Sequence, residues 1–362
     1  MNLKKKFLFS ILAALIIIST PSQALQNYSF GILISDASSG DLAVNINGDI
    51  YSVNRNYNKV SIYAPDPYGS NNYKLSKQWN FDGNQSTGGG IAISPSGDFV
   101  YLLTGGGQTT NLAKFNAAGN LLATSRLELD SNTFSGKYEK ITTDGSGNIY
   151  VFDYIDNGTK QVVKKLGSNF KKIGQWQIPG QNYANCMAVT SSGKFLYATD
   201  LSGSVARYDL ASSSLTRVDF ATTAVFLDTV AVDRANNVYF AGASSSFLRT
   251  DSVSYLFKYG PAGILSAMAV NAASANDAAN FTGAGNIAVD SFQTIYVSQA
   301  LFGKIMKYNL QIGAPSTTTL APSNPKQPPP PAVSPNRPGT IKRPTIITTT
   351  TTAKPRNRSL AR

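Results

Sequence analysis

The chain has no histidine, a single cysteine and only 14% charged residues among its 362. Without imidazole, neither histidine-based acid–base catalysis nor ordinary zinc catalysis is available, and a serine nucleophile would lack its usual base. With Cys186 as the only thiol, no internal disulfide can form, which excludes disulfide-stapled scaffolds. Cys186 opens an apolar segment, the usual setting of a buried, inert thiol. No Gly-rich phosphate loop precedes a helical pattern, and no long amphipathic helix is visible.

Apolar runs are equally scarce. The one of any length, Phe7 to Ile18, follows Lys4, Lys5 and Lys6 and precedes the small-residue site Ser22-Gln23-Ala24. That order is expected of an export leader over residues 1–24, with Leu25 as the first mature residue. The alternative is an uncleaved anchor, but the run is short for a span. No second run of spanning length follows, so no membrane span is expected after cleavage. Cys186 lies too far from the leader to be a lipidation site. The expected location is secreted, periplasmic or cell-surface.

Charge is unevenly placed. The net charge is +12, yet residues 313–362 hold eight Lys or Arg and no acid, and the leader holds three lysines. Residues 25–312 are therefore close to neutral, and the C-terminal segment is the basic object.

What is present is a repeat. A small apolar strand, a polar turn and a second strand centred on tyrosine recur six times. The copies are Asp41–Tyr51, Gly90–Tyr101, Lys140–Tyr150, Cys186–Tyr197, Thr229–Tyr239 and Asn286–Tyr296. Each continues into a third short β-rich run, such as Lys59–Tyr63, Gln161–Lys165 or Lys304–Tyr308, and usually a fourth. Fourth strands are expected from Lys77 in the first copy and over Leu215–Phe220 in the fourth. A repeat of this length built from strands indicates a closed radial array of small sheets. The expectation is an all-β, six-bladed β-propeller of four-stranded blades over residues 25–312. The sixth copy lacks a fourth strand, and Tyr28–Ser35 belongs to no copy. That segment is expected to complete blade 6 and close the ring, which removes an unpaired edge. The six tyrosines should pack between blades. Blades 2 and 4 carry one extra residue before theirs.

The pattern Ile287-Ala-Val-Asp-x-x-x-x-Ile-Tyr-Val297, followed by Lys304-Ile-x-Lys-Tyr308, resembles the NHL repeat of six-bladed propellers. Copies five and three are the next closest, and the resemblance covers about residues 30–312. More distantly, the chain is similar to gluconolactonase-like and TolB-like propellers. The resemblance implies fold more than activity, because propellers serve many unrelated roles.

In that architecture one face carries the starts of the inner strands and the loops between second and third strands. It places Asp41, Glu139 with Lys140, Asn185, Asp228 and Asn286 around the channel mouth, while blade 2 offers Gly89 and Gly90. These polar groups either cap strand ends or converge on a hard cation. Glu139, Asn185 and Asp228 look like the metal-binding trio of the gluconolactonase-like family. That likeness implies Ca²⁺ or Mg²⁺ polarising a lactone and activating water. Otherwise no cofactor is expected. Phe247, Arg249 and Tyr255 in blade 5, with Phe302 in blade 6, are the expected contact anchors on the same face, since hot spots favour aromatics and arginine.

Residues 313–362, rich in Pro, Thr, Lys and Arg, cannot build a core and are expected to be disordered. They read as a spacer or as a tether for an anionic cell-surface polymer. No aromatic residue there offers a base-stacking platform, so nucleic acid is not an expected partner. The expected function is non-catalytic recognition of a protein or surface glycan, by a monomer, through the channel-mouth face. A metal-dependent lactonase and a tail-tethered matrix protein are the alternatives.

Overall fold

The computed structural model describes residues 28–34, 41–54, 57–66, 72–82, 90–106, 109–127, 140–155, 160–179, 184–200, 202–223, 225–243, 254–271, 284–299 and 304–310. The chain divides into two units, Met1–Ser316 and Thr317–Arg362, and the second falls outside the described residues. The expected leader over 1–24 and the basic segment over 313–362 also lie outside them.

Among the described residues there are strands and turns but no helix. The strands form six separate four-stranded antiparallel sheets. Blade 1 comprises Leu42–Val44, Ile50–Asn54, Lys59–Pro65 and Tyr73–Asn80; blade 2, Ile91–Ile93, Phe99–Gly106, Thr109–Asn116 and Leu121–Arg126. Blade 3 comprises Ile141–Thr143, Ile149–Ile155, Lys160–Leu166 and Lys172–Ile178; blade 4, Ala184–Val189, Phe195–Asp200, Ser204–Asp209 and Val218–Thr222. Blade 5 comprises Phe226–Val232, Val238–Ala243, Ser254–Tyr259 and Leu265–Asn271; blade 6, Ala284–Val289, Ile295–Gln299 and Lys304–Leu310. The fourth strand of blade 6 is Tyr28–Ile34, paired antiparallel with Lys304–Leu310 from Tyr28 opposite Leu310 to Ile34 opposite Ile305. Neighbouring inner strands touch in the order 1 to 6 and back to 1, so the ring is closed. This is the six-bladed propeller expected from the repeat.

A sheet of four short strands cannot bury both its faces alone. The core is accordingly split into six clusters, one per blade–blade interface. Tyr51 packs with Ile91, Val100 and Phe115 of blade 2. Tyr150 packs with Met187, Leu196 and Tyr208 of blade 4, and Tyr296 with Leu42 and Ile50 of blade 1. Each tyrosine thus faces the blade that follows it. Tyr51 is 3% exposed and the other five 1% or less. Each such burial contributes roughly 1.5–3 kcal/mol.

Outer strands leave unpaired edges, a risk for pairing with other chains. Blades 1, 2, 3 and 5 share one countermeasure: a register shift at the same place between third and fourth strands. The shift leaves Ser76, Leu122, Ile173 and Ser266 unmatched. An extra residue there bends and twists the edge.

Two fourth strands differ from expectation. In blade 1 the strand starts at Tyr73, because its partner Lys59–Pro65 is long enough to pair back to Pro65 opposite Tyr73. In blade 4 it is Val218–Thr222, and Leu215 lies in the preceding turn, buried with Leu210 between blades 3 and 4.

Candidate functional site

The channel along the ring axis has a cavity of about 180 Å³, walled by Ala, Val, Ile, Leu and Met from the six inner strands. Polar exceptions are few: Thr142 and Thr143, Cys186, and Lys140 and Asn286. Groups able to hold or move charge therefore gather towards the ends of the bore.

At the strand-start end, Lys140 Nζ donates to Asp41 Oδ1 at 2.9 Å. This pair joins blade 3 to blade 1 across blade 2, where Gly90 puts no side chain in the way. The Asp41 side chain is 2% exposed and that of Lys140 13%. Asn286 is stitched on both sides. Its Oδ1 accepts from Thr229 Oγ1 on blade 5 at 3.1 Å, and its Nδ2 donates to the Leu42 carbonyl of blade 1 at 3.4 Å. The Cys186 thiol of blade 4 lies 3.7 Å from the Thr229 hydroxyl. A polar belt thus runs from blade 4 through 5 and 6 to 1, and by the ion pair to 3. Inner strands of adjacent blades share no sheet, so side chains supply the lateral bonds that backbone groups cannot.

Two of the expected mouth residues, Asp41 and Asn286, are therefore bonded parts of this belt. The backbones of Asn185 and Asp228 lie in the inner strands of blades 4 and 5, where the pattern puts them. Their side chains, and Glu139, Phe247, Arg249 and Phe302 altogether, lie outside the described residues. Among the described residues, no group of three or more His, Cys, Asp or Glu side chains is placed to hold a metal ion.

The opposite end is built from the turns between first and second strands. Asp144, Asp233 and Asp290 occupy the same turn position in blades 3, 5 and 6. In each, Oδ1 accepts the backbone N–H four residues on, from Asn148, Asn237 or Thr294 at 2.8–3.0 Å. Oδ2 accepts the hydroxyl of Tyr150, Tyr239 or Tyr296 at 2.9–3.0 Å. The left-handed backbone that closes these turns falls three residues after the aspartate, at Gly147, Asn236 and Gln293. In blades 2 and 4 a hydroxyl does the capping: Ser94 and Thr190 accept from the N–H of Phe99 and Phe195 at 3.0 Å. These turns keep the same five residues between strands, and the extra residue of these blades is the phenylalanine that opens the second strand.

Opposite the tyrosine on the third strand stands Lys114, Lys165, Arg207, Lys258 or Lys307 in blades 2 to 6. Asp, Tyr and Lys so arranged resemble an acid–base cluster. Threefold recurrence at one register, with each aspartate bonded to its own turn and its tyrosine, suits a repeated framework instead. Burial, then the hydrogen bond to and charge of Asp144, push the Tyr150 hydroxyl far above the ordinary tyrosine range. Burial alone would raise the Asp144 carboxyl; bonds from Asn148 and Tyr150 and the charge of Lys165 outweigh it and hold it below 3.8. Burial lowers Lys258 and Lys307, with the charges of Asp233 and Asp290 opposing.

At the axis on this end, exposed Arg234 of blade 5 donates from Nη2 to the Pro95 carbonyl of blade 2, the blade opposite, at 3.3 Å. It crosses a cavity of about 180 Å³ lined also by Ile46, Ser94, Asp144, Ser191 and Asp290. Nothing in the repeat pattern singles out Arg234. The aspartate–tyrosine bond was visible in principle, as an aspartate six residues before the tyrosine in three copies.

The two ends differ in one further respect. Five residues separate first and second strands in all six blades, as at 45–49 and 144–148. The segments that lead into the inner strands at the other end vary from three residues (223–225) to fourteen (127–140).

Compared with models of known protein families, the chain matches none, and comparison with curated proteins likewise finds no match.

Proposed function

We propose that the chain is an exported, non-catalytic propeller of NHL type that recognises a protein or a cell-surface glycan through its strand-start face. The observation that carries this is the contrast in connection length. Turns of constant length, saturated by their own hydrogen bonds, serve the scaffold. Connections that vary from three to fourteen residues, all on the other face, serve specificity, as binding loops on rigid frames generally do. The basic segment 313–362 would add a sequence-independent attraction to anionic surface polymers.

The test is capture. The immobilised full chain is presented to a glycan array and to the native extracellular fraction, with captured species identified by mass spectrometry. Phe247→Ala, Arg249→Ala and Phe302→Ala together should abolish specific capture without lowering the Tm. Undiminished capture by the triple variant would move the contact to another face. A calorimetric titration with Ca²⁺ is expected to show no heat; saturable heat lost in Asp228→Asn would instead favour a metal-dependent hydrolase. Deleting 313–362 should release the chain from the cell surface, and unchanged retention would reduce that segment to a spacer.

A further inference from the structure

Among the described residues, five of the six blade interfaces contain an internal cation, and the sixth does not. Lys114 Nζ lies 3.7 Å from the Phe99 ring centroid, Lys165 5.2 Å from Tyr150, and Lys258 5.8 Å from Tyr239. Arg207 lies 5.0 Å from Phe195, and Lys307 5.1 Å from Tyr73. Cations over ring faces are held by the ring quadrupole, the more so when desolvated. Lys165 is also 3.4 Å from Asp144. In blade 1 the position opposite Tyr51 is Ile62, 5% exposed.

The anionic side of that interface is kept. Blade 1 exchanges the two turn residues: Asn45 stands where blades 3, 5 and 6 have aspartate, and Asp49 where blades 3 and 5 have asparagine. Asn45 Nδ2 donates to Asp49 Oδ2 at 2.8 Å. The turn of blade 2 adds Asp98 beside it. What remains between blades 1 and 2 is a cavity of about 370 Å³, lined by Asn45, Asp49, Tyr51, Ile62, Lys77 and Asp98 among others. Lys77 is exposed, opposite Ile62 on the outer strand, so the two carboxylates outnumber the one cation there.

The neighbouring turns are less tight here than between blades 3 and 4, as they also are at Gly147 and Gly48, in interfaces that hold their cation. A Cβ added at Gly193 would lie 2.6 Å from Asp144 Oδ2 at the interface between blades 3 and 4. At the equivalent Gly97 it would lie 3.7 Å from Asn45 Cβ.

We infer that the slot between blades 1 and 2 on the turn face binds an alkylammonium group, taking from outside the cation that the other five interfaces supply from within. The chemistry is shared by a lysine side chain of a protein partner and by a free polyamine. An aminoalkyl chain would lie against Ile62 and Tyr51, and its ammonium would meet half-buried Asp49 and exposed Asp98 in a charge-assisted setting. This site is separate from the strand-start face and does not depend on the function proposed for it.

The test uses the full chain with Trp176→Phe, so that Trp79 is the sole tryptophan; its ring centroid is 6.5 Å from that of Tyr51. Fluorescence is titrated with n-butylammonium chloride, spermidine and a blocked Gly-Gly-Lys-Gly-Gly peptide. Butanol and the norleucine peptide serve as neutral counterparts. Saturable responses are expected from the ammonium compounds alone. Asp49→Asn should weaken them roughly tenfold, the loss of one hydrogen bond to a charged group. Ile62→Lys, which restores the missing cation, should abolish them while leaving Tm unchanged or higher. Tighter binding of the peptide than of spermidine would assign the site to a partner's lysine, and the reverse to a free polyamine. The inference is overturned by an absent response, an equal response to the neutral compounds, or undiminished affinity in Asp49→Asn. An Ile62→Lys chain that fails to fold also overturns it, because the slot would then reject the group it is said to accept.

Discussion

The interface between blades 3 and 4 and that between blades 1 and 2 begin from the same plan and end differently. Each buries a repeat tyrosine against the next blade, and each sets an outer-strand tryptophan over the next blade's last turn. Between 3 and 4 the plan is completed. Asp144 holds Tyr150, Lys165 sits beside both, Gly193 closes on them, and Trp176 Nε1 donates to the Ser212 carbonyl at 3.0 Å. Between 1 and 2 the aspartate is Asn45, the lysine is Ile62, and Gly97 stands back. Buried Trp79 Nε1 finds no partner among the described residues. The lesson is that the apolar half of an interface suffices to close the ring. The polar half is optional, and where it is incomplete a cavity remains.

The comparison can be broken hardest at its glycines. Both have positive φ, +69° at Gly193 and +82° at Gly97, so alanine costs about 1–2 kcal/mol at either. Only at Gly193 does the new Cβ also collide with its neighbour. Gly193→Ala should therefore cost roughly 3–4 kcal/mol in denaturant unfolding, against about 1–2 for Gly97→Ala. Equal costs would show that the two interfaces are equally tight.

Next in size is Asp144→Asn, expected to cost roughly 2 kcal/mol at neutral pH by weakening the four hydrogen bonds the carboxylate accepts and leaving Lys165 with less compensation. The sign with pH follows from the lowered carboxyl. Its folded pKa lies below 3.8, so its contribution is whole above that pH and is lost as pH falls through the folded value. The melting temperature of Asp144→Asn should accordingly fall less steeply than that of the parent between pH 4 and 2. Asp200, also held low against burial by Ser202, Ser204 and Arg217, keeps part of the slope in both proteins.

The comparison is sharpened by converting one interface into the other. Asn45→Asp alone places a second carboxylate beside Asp49, and Ile62→Lys alone supplies a cation. Together they should show a favourable coupling of roughly 1 kcal/mol in a double-mutant cycle. Zero coupling would separate the two positions energetically. The smallest effect concerns the indoles. Trp176→Phe should cost about 1 kcal/mol more than Trp79→Phe, because only Trp176 loses a hydrogen bond. A reversed order would place an unseen acceptor at Trp79.

Much of this was legible in residue order. The six tyrosines, their apolar neighbours and the turn residues before them announce six small sheets. The orphan segment before the first copy announces the strand that closes the sixth. These are local periodicities, and burial between blades follows from them. Less was legible at the channel ends. Asp41 was visible as a mouth residue, but not that Lys140 would reach it past Gly90, because that depends on how far blades 1 and 3 stand apart. Arg234 gave no sign at all. Its partner is a backbone carbonyl 139 residues away, a group that carries no residue type.

By itself, then, the order of residues determined the number of blades, the strand that completes the ring and the burial of the tyrosines between blades, since alternation along a strand and the chemistry of its turns act within a few residues. Only the tertiary structure decided which polar groups meet across the axis and which interface stays unfilled. Those depend on distances between blades, which are set by the packing of all six together.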